Sequence, residues 1–252
     1  MKGDGDDSSS KIPAVTPAFW ALKILATTLG ETGGDAVTMS MGLGYLLGTG
    51  IFATAFVVMV AAQVRAGRFN PWRYWATIIA TTTLGTTLAD FADRTLGIGY
   101  AGGSALLLSL LLLSLFAWRR SSGSISIGND RSPTDQLFYW ATIMFSQTLG
   151  TALGDWTTDD SGLGYGGSAL LFGCALALVA AAYCGTRLSR IALFWTAFVL
   201  TRPLGAVVGD LLDKPIAHGG LALSRYTATA ALLAAMVASV YLLQRRDSLP
   251  AP

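Results

Sequence analysis

Four times in this chain a tryptophan stands fifteen residues ahead of an aspartate: FWALKILATTLGETGGD, YWATIIATTTLGTTLAD, YWATIMFSQTLGTALGD and FWTAFVLTRPLGAVVGD. The pairs are Trp20 and Asp35, Trp75 and Asp90, Trp140 and Asp155, and Trp195 and Asp210, with Leu-Gly at one fixed place between them. A second apolar run follows each, opening on GLGYLLGT, GIGYAGGSALL and GLGYGGSALL; the fourth, HGGLALSRYTATAALL, lacks the tyrosine. Four matches in register mark an internal repeat.

The repeats are too apolar for water. Charged residues are 13% of the chain and hydrophobic residues 52%, against about 25% charged in an average soluble domain. Eight apolar stretches, about 17–37, 43–63, 73–92, 97–118, 137–157, 163–184, 191–212 and 219–243, have the length that crosses roughly 30 Å of hydrocarbon. The expected fold is an all-α polytopic membrane protein, eight transmembrane helices in four two-helix repeats. Each repeat holds an even number of spans, so all four point the same way, with pseudo-fourfold or two-by-two symmetry about the membrane normal. The expected division is a disordered tail at 1–12, which is not a secretory signal, then repeats at 13–68, 69–120, 137–190 and 191–243. A linker at 121–136 and a tail at 244–252 complete it.

Positive loops stay inside. Lys2, Lys11, Arg65, Arg68, Arg73, Arg119, Arg120, Arg131, Arg187, Arg190, Arg245 and Arg246 precede the first span or follow an even one. The remaining loops hold only Arg94, Lys214 and Arg225. Both termini are expected in the cytoplasm. A net charge of +2 argues against a nucleic-acid partner. Cys174 and Cys184 lie ten residues apart on one span, about 15 Å, too far to bridge. With His218 the single histidine, a zinc-type cluster is not expected.

The four tryptophans and the four LGxxx(G/A)D segments resemble a family of bacterial membrane proteins built from four tandem two-span repeats, each with a characteristic tryptophan. The likeness covers nearly the whole chain. It implies the architecture and a bacterial inner membrane, and the repeat is one of unknown function.

Aromatic pairs open each odd span, and Trp20, Trp75, Trp140 and Trp195 fit interface anchors. Fifteen residues of helix cover about 22 Å, so each aspartate lies within the far part of the core. A carboxylate there costs at least ~2.5 kcal/mol unless it faces the bundle interior. Residues four and seven before each aspartate share its face: Glu31 and Thr28, Thr86 and Thr83, Thr151 and Thr148, then Ala206 and Pro203. Eight before stand Thr27, Thr82, Gln147 and Arg202. The positions one and five before are small: Gly30 and Gly34, Gly85 and Ala89, Gly150 and Gly154, Gly205 and Gly209. Small residues four apart let helices approach closely in lipid.

Oxygen ligands without histidine or cysteine suit hard cations, so Asp35, Asp90, Asp155, Asp210 and Glu31 are candidate metal ligands. Thr28, Thr83, Thr86, Thr148, Thr151 and Gln147 line the path to them. Glu31 and Arg202 occur in one repeat each and are within reach if repeats 1 and 4 adjoin, a gating or coupling pair beside the helix-kinking Pro203. Lys23 is expected to snorkel to the interface. Asp93, Asp159, Asp160 and Asp213 read as solvated charges at the outer mouth.

Transport of a small hard cation follows best, a divalent metal such as manganese exported in exchange for protons. The alternatives are a passive channel with a ring of four aspartates, and an intramembrane enzyme, lipid-binding or structural protein. No nucleophile-plus-base signature supports an enzyme, and no cofactor is expected. The expected partners are the cation and the bilayer, with the chain a monomer or homodimer.

Overall fold

The computed structural model describes residues 13–125 and 132–247. The expected tail at 1–12 with Lys2 and Lys11, Arg131 in the linker, and residues 248–252 lie outside the described residues, as does the side chain of Arg246. The described residues hold eight long helices and no strand: α1 Pro17–Asp35, α2 Gly44–Arg65, α3 Pro71–Asp90, α4 Tyr100–Ser122, α5 Pro133–Asp155, α6 Gly164–Gly185, α7 Arg190–Asp213 and α8 Arg225–Asp247. The protein is an all-α polytopic membrane protein of four two-helix repeats.

Each odd helix starts on a side-chain cap. Thr16, Asn70, Ser132 and Ser189 accept hydrogen bonds from the backbone N–H groups of Phe19, Arg73, Asp135 and Ala192, and proline follows the first three caps. Such a cap is worth about 1 kcal/mol and fixes where the helix begins. At the other end, α1, α3 and α5 widen into a five-residue π-helical turn just past the aspartate, at Ala36–Ser40, Phe91–Thr95 and Trp156–Asp160. The chain then reverses through G-x-G. Gly42 and Gly44, Gly97 and Gly99, and Gly162 and Gly164 all have φ between 63° and 80°, which a side chain would strain. This conformational demand accounts for the GLGY and GIGY signatures.

The helices form two concentric layers. The odd helices make a closed inner ring in the order α1, α3, α5, α7 and back to α1. The even helices lie outside, and each packs chiefly on the odd helix of the next repeat: α2 on α3, α4 on α5, α6 on α7, and α8 on α1. Of the two arrangements the sequence allows, the ring is the one adopted. Among the described residues, five helices are long and apolar enough to cross a membrane: α2, α4, α6, α7 and α8. The inner helices α1, α3 and α5 fall short of that hydropathy because threonine, glycine and charge fill the face they turn to the ring interior.

Glycine contacts repeat around the ring. Gly30 abuts Thr82, Gly85 abuts Gln147, Gly150 abuts Arg202 and Gly205 abuts Thr27. A side chain at Gly85 would place its Cβ 2.9 Å from the Gln147 carbonyl carbon. One turn on, Gly34 meets Thr86, Gly154 meets Ala206 and Gly209 meets Glu31. In lipid there is no hydrophobic drive between helices, so this close van der Waals contact holds the ring.

Three of the four tryptophans pack inside the bundle, and Trp20 is half-buried. Trp75, Trp140 and Trp195 are buried, as are Phe19, Tyr74 and Tyr139. The aromatic just before each tryptophan packs on the next inner helix's tryptophan, at ring-centroid distances of 5.6 Å for Phe19–Trp75, 5.8 Å for Tyr74–Trp140, 6.2 Å for Tyr139–Trp195 and 5.6 Å for Phe194–Trp20. Trp75, Trp140 and Trp195, expected as interface anchors, are held by neighbouring helices. These rings face their neighbours because the odd helices are the inner ones, and together they close one end of the bundle.

Candidate functional site

Beyond the aromatic end, the ring interior is built in layers four residues apart. The first holds Lys23, Ile78, Ile143 and Phe198, and the second Thr27, Thr82, Gln147 and Arg202. The third holds Glu31, Thr86, Thr151 and Ala206, and the last the four aspartates. Every one of these side chains is buried.

Arg202 is the centre of the third layer. Its Nη2 donates to Glu31 Oε2 on α1 at 2.9 Å, to Thr86 Oγ1 on α3 at 2.6 Å and to Thr151 Oγ1 on α5 at 2.6 Å. One nitrogen thus touches all three other inner helices. Thr86 also lies 3.2 Å from Glu31 Oε2. A buried ion pair is costly to make and costlier to break by one partner, so the two threonines matter as extra hydrogen bonds to the charged group. The structure brings Glu31 and Arg202 together across repeats 1 and 4. Pro203 packs its Cδ toward Gly150 beside this contact.

The other expected path residues behave differently. Thr28, Thr83 and Thr148 donate to their own backbone one turn back, to Ile24, Ile79 and Met144. Gln147 and Thr82 have no hydrogen-bond partner for their side chains among the described residues. Lys23 does not snorkel. It is wholly buried, with its ammonium 4.1 Å above the Phe198 ring, because the aromatic end closes over it.

The four aspartates are each met by a cation. Lys214 Nζ lies 2.6 Å from Asp35 Oδ2 and 3.0 Å from Asp210 Oδ1. Arg94 Nε lies 2.8 Å from Asp90 Oδ1, and its Nη2 lies 3.8 Å from Asp155 Oδ2. Arg225 Nε pairs with Asp213 at 3.0 Å and approaches Asp35 at 3.7 Å. Burial works against the Lys214 charge, but the carboxylates of Asp210, Asp35 and Asp213 outweigh it and hold its pKa above the ordinary lysine range. Asp213 is buried in this network and is not a solvated mouth charge, while Asp159 and Asp160 are exposed. Asp159 accepts a hydrogen bond from the Tyr100 hydroxyl at 2.9 Å.

These cations are the functional-site residues that sequence reasoning placed in loops. Their signal is a base four residues past the aspartate, in even repeats only: Arg94 after Asp90 and Lys214 after Asp210. Repeats 1 and 3 carry Met39 and Asp159 there. Each base reaches its own aspartate and that of the following repeat, so the aspartate end of the ring is twofold where its backbone is fourfold.

Asp35, Asp210 and Asp213 offer oxygens within 4.8 Å of one another, close enough to share one metal ion. All-oxygen donors suit a hard cation. In this structure the Lys214 ammonium occupies the position of positive charge between Asp35 and Asp210.

No curated protein and no solved structure matches the chain. A family model described as Repeat of Unknown Function (DUF347) matches at residues 18–69, 73–124, 138–189 and 193–248, one match on each pair of helices. The chain belongs to the DUF347 repeat family.

Proposed function

We propose that the protein is a secondary transporter of a small hard cation, a divalent metal such as manganese(II), exchanged for protons across a bacterial inner membrane. The observation that carries this reading is the buried carboxylate cluster of Asp35, Asp210 and Asp213, with the Lys214 ammonium seated among its oxygens. Lys214 stands in for cargo when the site is empty. An entering cation takes the oxygens of Asp35 and Asp210 and displaces the ammonium. When the cation leaves, Lys214 or protons neutralise the carboxylates, which keeps uncompensated charge out of the membrane.

A carrier fits better than an open channel because side chains fill the ring interior at every layer, from the aromatic end through Arg202. The loops and helix ends at the aromatic end carry Arg65, Arg68, Arg73, Arg119, Arg120, Arg187 and Arg190. That bias supports an orientation with the aromatic end and both termini in the cytoplasm and the aspartates toward the outer side.

The test is flux in proteoliposomes of Mn²⁺, Mg²⁺, Ca²⁺, Na⁺, K⁺ and H⁺, for wild type and for Asp35→Asn and Asp210→Asn. Saturable flux of one ion, coupled to a proton gradient and lost in both variants, supports the reading. Folded protein that moves none of them rejects it and leaves the carboxylates a structural role.

A further inference from the structure

The fourth repeat leaves its aspartate differently from the other three. In those, the aspartate is followed by a π-helical turn and a G-x-G reversal. In the fourth, α7 runs on as α-helix to Asp213, and residues 214–224 fold back over its end. The N–H groups of Leu221, Ala222 and Leu223 donate to the carbonyls of Leu211, Lys214 and Leu212 at 2.7, 2.9 and 2.9 Å. Two carbonyls that a helix end leaves open, those of Leu211 and Leu212, are satisfied this way.

The two ends of this strap are the cations of the carboxylate cluster. Lys214 begins it, and its ammonium bridges Asp35 and Asp210. Arg225 follows it, with Nε 3.0 Å from Asp213 Oδ2 and 3.7 Å from Asp35 Oδ2. Its Nη1 also reaches Ser40 Oγ at 3.5 Å, on the turn that follows Asp35 in the first repeat. The Asp35 side chain is 1% exposed, that of Lys214 13% and that of Arg225 23%. The cations therefore lie on the side of the carboxylates that meets water.

Little else holds the strap down. Of residues 215–224 only Gly220 is buried, and Ile216, Leu221 and Leu223 expose their side chains. Ala222 has φ 52°, a left-handed conformation that costs an alanine energy. A segment with few buried side chains and exposed backbone hydrogen bonds opens locally, at a free energy well below that of global unfolding. Its firm anchors are the ion pairs at its two ends. Those pairs use the oxygens that a bound cation would take.

We infer that residues 214–225 form a latch on the carboxylate cluster, shut by its own two cations and released by the cargo. The inference rests on the cation site proposed above. A hard cation on Asp35, Asp210 and Asp213 displaces Lys214 and Arg225 together, because they are the two ends of one segment, and the strap lifts. Linkage makes the effect reciprocal: a change that loosens the strap strengthens cation binding. Gly220 allows that change to be made away from the carboxylates. A Cβ there would collide with the Lys214 carbonyl oxygen, so Gly220→Ala pushes the strap off the end of α7.

The experiment is hydrogen exchange read by mass spectrometry on the full chain in detergent, with and without Mn²⁺ at constant ionic strength, with equilibrium dialysis of Mn²⁺ alongside. In wild type, Mn²⁺ is expected to speed exchange in segment 215–224 severalfold and not in α3 or α5. Gly220→Ala is expected to exchange faster there without Mn²⁺ and to bind Mn²⁺ severalfold more tightly. An alanine that merely disturbs the site would weaken binding instead. Wild type that binds Mn²⁺ with no faster exchange in 215–224 overturns the latch and leaves the cation site standing. Equal or weaker Mn²⁺ binding by folded Gly220→Ala overturns the latch as well, and if that variant does not fold, the wild-type exchange decides. Wild type that binds no Mn²⁺ overturns latch and cation site alike.

Discussion

Lys214 of the last repeat holds Asp35 of the first at 2.6 Å, closing the ring of helices with a charge as well as with packing. The same ammonium lies 3.0 Å from Asp210, one turn back on its own helix. Removing it leaves two buried carboxylates facing each other. Lys214→Met is expected to lower stability by about 3–5 kcal/mol, the cost of breaking a buried pair on one side. If the carboxylate cluster takes hard cations, Mn²⁺ at millimolar concentration restores much of that loss. Melting curves with and without Mn²⁺ check both points, and a deficit untouched by every divalent ion counts against the cluster as a metal site.

The Glu31–Arg202 contact makes a sharper claim about geometry. Arg202→Gln is expected to cost about 3–5 kcal/mol, since Glu31 is left buried and unpaired. Glu31→Gln should cost the same order. The double change to Gln at both positions is expected to be less harmful than the sum of the two. A double-mutant cycle by chemical or thermal denaturation reads the coupling, and strict additivity would mean the two charges do not act on each other.

Close helix approach is checked by adding one methyl. Gly205→Ala drives a Cβ into Thr27 of the neighbouring helix and is expected to cost about 1–3 kcal/mol. Gly173→Ala on the outer helix α6 meets open space and is expected to be neutral or slightly stabilising. Equal effects in the two variants would argue against the inner ring as drawn.

Ring closure within one chain is open to cross-linking. A Cβ at Gly33 would lie 3.7 Å from Thr229 Cγ2 on α8. With Cys174 and Cys184 replaced by Ala, the pair Gly33→Cys and Thr229→Cys is expected to form an intramolecular disulfide in membranes. A product that is wholly intermolecular would show instead that α8 covers a neighbouring copy.

The sequence made the repeat legible because the Trp-to-Asp interval is a covalent fact that no packing can alter. The ionisable residues within apolar helices likewise pointed inward on energetic grounds, which is why Glu31 and Arg202 could be matched before any neighbour was known. The aromatic layer could not be read this way. A tryptophan at the start of a span looks the same whether it meets headgroups or another helix, and only the ring order makes Trp75 the neighbour of Phe19. Lys214 and Arg94 were hidden for a related reason. Both lie past the end of an apolar run and so count as loop charges, until the turn that follows the aspartate folds them back over it.

The outer layer carries a consequence for how this protein enters the bilayer. Each even helix covers the inner helix of the following repeat, and α1 is covered by α8. Helix α1, which carries Lys23, Glu31 and Asp35, is made before its cover α8 and before its charge partners Arg202 and Lys214 of the fourth repeat. Insertion therefore cannot finish helix by helix. Helix α1 must be retained beside the translocation machinery, or held at the membrane surface, until the fourth repeat has been made. The seam between the first and fourth repeats is thus where the charges of the earliest helix of the ring are finally neutralised.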